Sequence, residues 1–133
     1  MNDYFVIGGE NIPRRSRRLI ELDLPPLYTH SPMNLPVHVI RGSKDGPRLF
    51  ISAAIHGDEL NGTEIIRRLL KQPVLKRLRG TLVAVPIVNV YGLIHHSRYL
   101  PDRRDLNRSF PGSEKGSLAA RLAHMFMTEI VHN

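Results

Sequence analysis

The chain has 133 residues, which suits one domain with a single core. Its hydrophobic fraction of 41% excludes wholesale disorder, and no stretch approaches the roughly 18 apolar residues needed to span a bilayer. There are no cysteines, so any metal must be held by His, Asp or Glu, while the formal charge of +7 is open to two explanations: an acidic partner or a solvated basic surface.

At the N-terminus only Tyr4 to Ile7 is apolar, too short for the core of a signal peptide. With no disulfide possible, a cytoplasmic location is expected. Arg14-Arg15-Ser16-Arg17-Arg18 reads as a solvated turn and strand edge, with a phosphate or acidic contact as the alternative. From Ser16 to Leu24, Leu19, Glu21 and Asp23 alternate with Ile20, Leu22 and Leu24, a strand pattern closed by Pro25-Pro26. Pro25 to Pro36 carries four prolines and reads as a loop. Pro36 to Arg41 predicts a second strand, antiparallel to the first, and Ser43-Lys44-Asp45-Gly46 has hairpin-turn chemistry.

Arg48 to Ile55 is a nearly continuous apolar run, the pattern of a strand covered on both faces. A helix is predicted from about Glu59 to Lys71, with Ile65, Ile66, Leu69 and Leu70 on its buried stripe and Pro73 as its stop. Thr81 to Val88 is a further buried strand, so strand, helix and strand form a βαβ unit with parallel strands. Tyr91 to Lys115 is a long connection without a clear period, of a length that is usually functional or disordered. Ser117 caps a last helix on which Leu118, Leu122, Met125, Phe126 and Ile130 recur at helical spacing. The fold class expected is α/β, a mixed sheet with helices on both faces.

His56 and Glu59 stand out chemically. They follow a buried strand, which places them at the carboxyl end of a sheet, where open α/β folds bind ligands. An imidazole and a carboxylate supply two of the three protein ligands of a hydrolytic zinc site. A strand-end histidine and a glutamate favoured by a helix dipole explain the same pair without any metal. Asp58 suits an N-cap or a supporting partner, and His95-His96 suit loop decoration. In the long connection, Arg98, Asn107 and Arg108 offer directional donors for a carboxylate; the alternative is that Asp105 and Arg108 only tie the loop down.

His56-Gly57-Asp58-Glu59, the Asn89 to Gly92 turn, Arg98 and the string Asp105-Leu106-Asn107-Arg108-Ser109-Phe110-Pro111-Gly112 together form a more specific pattern than any piece alone. In this order and spacing the chain resembles the succinylglutamate desuccinylase/aspartoacylase family, relatives of the zinc carboxypeptidases, from about Val37 to the C-terminus. The resemblance implies that His56 and Glu59 are zinc ligands, that Arg98 polarises the scissile carbonyl and stabilises the oxyanion, and that Asn107 and Arg108 hold a substrate carboxylate. It implies hydrolysis of an amide or ester bond in a small carboxylated substrate such as an N-acyl amino acid. The family's third ligand, a strand histidine, and its general-base glutamate would fall beyond Asn133. Residues 1–133 are therefore expected to be the N-terminal portion of one catalytic domain, inactive alone. Two rivals remain: a zinc carboxypeptidase acting on peptides, and a non-catalytic basic module binding nucleic acid or an acidic partner. No membrane association is expected.

Overall fold

A computed structural model describes residues 4–27 and 29–133. Tyr28, inside the proline-rich loop, lies outside the described residues. Among the described residues, six strands and three α-helices follow in order: β1 Val6–Ile7, β2 Glu10–Asn11, β3 Ser16–Asp23, β4 Asn34–Arg41, β5 Lys44–Ser52, α1 Asn61–Leu69, β6 Arg79–Val85, α2 Val90–Ile94 and α3 Leu118–Phe126. β1 and β2 pair as a small antiparallel ribbon, and the other four strands form one mixed sheet in the order β3-β4-β6-β5. β3 and β4 are antiparallel, with Leu19 opposite His38, as the alternating pattern predicts. β5 and β6 are parallel, with Phe50 opposite Val83, as a βαβ unit requires.

Strand alternation divides the core. Ile20 and Leu22 of β3, Leu35, Val37 and Val39 of β4, and Val83 and Val85 of β6 face one side. There they meet Phe5, Ile7 and Ile12 around the small ribbon, Tyr91 of α2, and Ala119, Leu122, Ala123 and Phe126 of α3. Ile40, Leu82 and Ala84 face the other side, against Ile66 and Leu70 at α1. Helices therefore cover both faces. Ser117 caps α3, its hydroxyl accepting the Ala120 N–H at 3.1 Å. The helical path continues through Met127–Val131 as a wider turn, with Ile130 buried.

Three expectations need correction. Ser43 to Gly46 does not close a hairpin, because β6 lies between β4 and β5; Lys44 already belongs to β5, which bulges before Arg48. The Arg48–Ile55 run is not covered on both faces, since β5 is the sheet edge and Leu49 and Phe50 remain 58% and 41% exposed. An apolar run records hydrophobicity but not sheet order. On α1, which starts at Asn61 rather than Glu59, Ile66 and Leu70 are buried, but Ile65 is exposed.

Candidate active site

His56 leaves β5 through a constrained turn. Ala54 is buried at φ +53, a left-handed conformation that an alanine adopts only when its surroundings impose it. The imposition is visible in the hydrogen bonds: the Asn89 N–H donates to the Ala54 carbonyl at 2.9 Å, and the Val88 N–H to the Ala53 carbonyl at 2.9 Å. Gly57 follows with an ordinary φ. Its glycine is required by space instead, since a Cβ would fall 2.0 Å from the Gly92 carbonyl carbon. The turn is thus clamped against the start of α2.

Asn89, fully buried, organises the facing loop. Its Oδ1 accepts the Gly92 N–H at 2.8 Å, capping α2, and its Nδ2 donates to the Arg98 carbonyl at 3.4 Å. Leu100 and Leu106, both buried, anchor that loop in the core. Asp105 then caps the short helical turn Leu106–Arg108, accepting the Asn107 N–H at 3.0 Å.

These elements converge on one imidazole. His56 Nδ1 lies 3.0 Å from Glu59 Oε1, and Nε2 lies 2.9 Å from Asp105 Oδ1. Arg98 reaches both carboxylates, with Nη1 at 3.5 Å from Glu59 Oε1 and Nη2 at 3.5 Å from Asp105 Oδ2. Arg108 Nε stands 3.8 Å from Asp105 Oδ2 with its side chain largely exposed, and Asn107 is exposed beside it. His56 is buried, whereas Glu59 is open to solvent. Burial would raise the Asp105 carboxyl, but the His56 hydrogen bond, the Asn107 amide and the Arg98 charge together hold it below its ordinary range.

A neutral imidazole has a single N–H. With that proton on Nε2 and given to Asp105, Nδ1 turns a lone pair toward Glu59, and a cation is what such a pair of donors can share. The donor set of imidazole nitrogen and carboxylate oxygen suits zinc, and Asp105 occupies the outer position that commonly orients a metal-bound histidine. Asp105 cannot join Glu59 on the same ion, because it holds the opposite ring nitrogen. Among the described residues, no group of three or more His, Cys, Asp or Glu side chains gathers into a metal cage. His95, His96 and Asp58 are all exposed, and α1 is preceded at its N-cap by Leu60 rather than by Asp58.

Asp105 and the Asn89 to Gly92 turn stand in the sequence motif, but their structural roles are not assigned by it. Asp105 is 49 residues from His56, so no local spacing reveals their contact. Asn89 had a legible signal, an asparagine three residues before a glycine at a short helix start.

The model of the succinylglutamate desuccinylase/aspartoacylase catalytic domain matches residues 45–133. The chain belongs to this family. It is 31% identical over 98 residues to the N-alpha-acetyl-L-2,4-diaminobutyric acid deacetylase of Halomonas elongata, an alignment covering 73% of this chain and 28% of the deacetylase. The product-bound ectoine utilization protein EutE (DoeB) of Ruegeria pomeroyi superposes with a TM-score of 0.80 at 30% identity, over 91% of this chain and 39% of that one. The succinylglutamate desuccinylase/aspartoacylase of Rhodobacter sphaeroides superposes with a TM-score of 0.77 at 27% identity, over 86% of this chain and 36% of that one. The chain thus spans well under half the length of these relatives. Among the described residues, no helix is long and apolar enough to cross a membrane.

Proposed function

We propose that this protein takes part in zinc-dependent hydrolysis of the amide (or ester) bond in a small carboxylated substrate, an N-acyl amino acid, with His56 and Glu59 holding the metal. The observation that carries this is the His56 ring, with Glu59 on Nδ1 and Asp105 on Nε2. The deacetylase relative supports the substrate class. Zinc, when bound there, supplies a Lewis acid and a water of lowered pKa.

The chain's own residues divide the remaining work. Asp105 fixes the His56 tautomer and ring orientation, so that Nδ1 is the nitrogen left for the ion. Arg98, tied to both carboxylates, carries a positive charge to the rim of the site, where charge developing on a carbonyl oxygen would be stabilised. Arg108 and Asn107 provide exposed donors beside it for the substrate carboxylate, with the planar guanidinium suited to a two-point contact. The buried Asn89 and the clamp at Gly57 hold the two halves in register.

Zinc affinity measured by chelator competition tests the assignment. His56→Ala should abolish binding, and Asp105→Asn should weaken it by about 10–100-fold, as removal of an outer partner does. Zinc-dependent acetate release from an N-acetyl amino acid, where the protein catalyses it, should vanish in His56→Ala. Zinc affinity unchanged by His56→Ala would remove the basis of the proposal.

A further inference from the structure

A cavity lies at the other end of the sheet from His56. It has a volume of about 720 Å³ and sits between the start of β3, the end of β4 and the segment following α1. Arg41 in its wall is opposite Thr81 at the beginning of β6, whereas His56 follows β5 past the pairing of Ser52 with Val85. Four residues of β6 separate those levels, about 13 Å at strand rise, so the cavity is distinct from the His56 cluster.

Every charged residue lining it is a cation: Arg15, Arg17, Arg41, Lys71 and Lys76. Nearby carboxylates are engaged elsewhere, Asp45 with Arg14 and Glu64 with Arg67 and Arg68. Among the described residues, no carboxylate forms an ion pair with Arg15, Arg17, Lys71 or Lys76. The C-terminal dipole of α1 accounts for Lys71, but Arg15 and Arg17 belong to the β3 side. Their positions are built. Arg15 sits at φ +56 with its N–H bonded to the Gly42 carbonyl at 3.3 Å and its side chain exposed, whereas Arg41, on the Val39 side of β4, is buried and spends its guanidinium on the Ile12 carbonyl at 2.6 Å, so that Arg15 and Arg17 are the arginines left to meet a ligand. Gly42 cannot carry a side chain, since its Cβ would fall 2.0 Å from the Leu78 carbonyl oxygen. The positive field also reaches a neighbour: burial first, and then the Arg17 charge, lower the pKa of His38.

We infer that this cavity binds a small phosphate-bearing anion of two or more negative charges. Its volume is that of a small-molecule site, and guanidinium groups pair with phosphate oxygens in a fixed fork. A nucleic-acid groove would need a continuous basic stripe, which the ion-paired Asp45 interrupts beside Arg14.

Calorimetric titration of the metal-free chain with pyrophosphate, at low ionic strength, tests this. Arg15→Gln and Arg17→Gln should each weaken binding by about tenfold or more, the effect of losing one charge-assisted contact. Arg18→Gln, the same charge change one residue along β3, should leave affinity within about twofold, and so should Arg108→Gln at the other end of the sheet. Inorganic phosphate, with fewer oxygens, should bind more weakly at the same residues. Wild-type affinity in both cavity variants overturns the inference. So does equal weakening by Arg18→Gln, which would signify diffuse charge, or binding of single-stranded DNA with no response to pyrophosphate.

Discussion

The two faces of the sheet are built to different depths, and each holds one half of the candidate site. On the face covered by α2 and α3, the core is continuous from Phe5 to Ile130. Distant polar ties reinforce it: Glu129 accepts the Gly8 N–H at 2.9 Å, and the buried Tyr91 hydroxyl donates to the Pro25 carbonyl, its pKa pushed up to about 12 by burial. On the other face α1 contributes Ile66, with Leu70 just beyond it, to a small cluster with Ile40, Leu82 and Ala84, while Ile65 stays in water. Asp105 and Arg98 belong to the first face, anchored by Leu100 and Leu106. Glu59 precedes the thinly packed helix. One carboxylate on His56 is therefore held by the deep core and the other by a helix with few buried contacts.

The largest effect expected from this contrast is on the deep face. Leu122 is fully buried among residues from several elements, so Leu122→Ala should leave a cavity its neighbours cannot close. The loss should lie toward the upper part of the about 2–5 kcal/mol range for such truncations, read from urea unfolding. Ile66→Ala on α1 should fall toward the lower part of the same about 2–5 kcal/mol range, because a helix packed by few residues can settle onto the sheet. If Ile66→Ala costs as much as Leu122→Ala, the two faces are equally firm and the contrast fails. Hydrogen exchange sharpens it further: amides of α1 should exchange before those of α3 in the wild-type protein.

How far the sequence reveals this asymmetry depends on the kind of signal. Alternation in Ser16–Leu24 marks Ile20 and Leu22 as buried and Leu19 as exposed, because period two is a local property of a strand. The helical spacing and Ser117 cap of α3 are local in the same sense. Edge position is not local. Arg48–Ile55 looks as apolar as a central strand, yet β5 lies outside β6, and only pairing across the sheet decides this. Lys44 and Asp45 looked like turn residues because the insertion of β6 between β4 and β5 is written in neither strand. At the candidate site, the spacing of three brings His56 and Glu59 together, and their side chains meet at 3.0 Å. The contact between His56 and Asp105 is not legible from spacing, since it depends on how Asn89, Leu100 and Leu106 fold the intervening loop.

The smallest expected effect concerns what α1 does for itself. Glu64 accepts hydrogen bonds from Arg67 at 2.6 and 2.8 Å and from Arg68 at 2.9 Å, all on one helix. These bonds, Arg67 first, draw its pKa from the ordinary 4.5 down to about 2. A carboxyl depressed in the folded state stabilises it fully above the unfolded value and loses that contribution as pH falls through the folded one. The advantage of Glu64 over Glu64→Gln should therefore be present at pH 6, decline below about 4.5 and vanish near 2. It should be small, because the pair is exposed, and it should shrink in high salt. Thermal melts of both proteins across that pH range provide the measurement. A difference that stays constant with pH would mean that Glu64 acts through packing rather than charge. A difference as large as that of Ile66→Ala would mean that these pairs tie α1 to the sheet, and the thin face would then owe its hold to charge rather than to its few buried side chains.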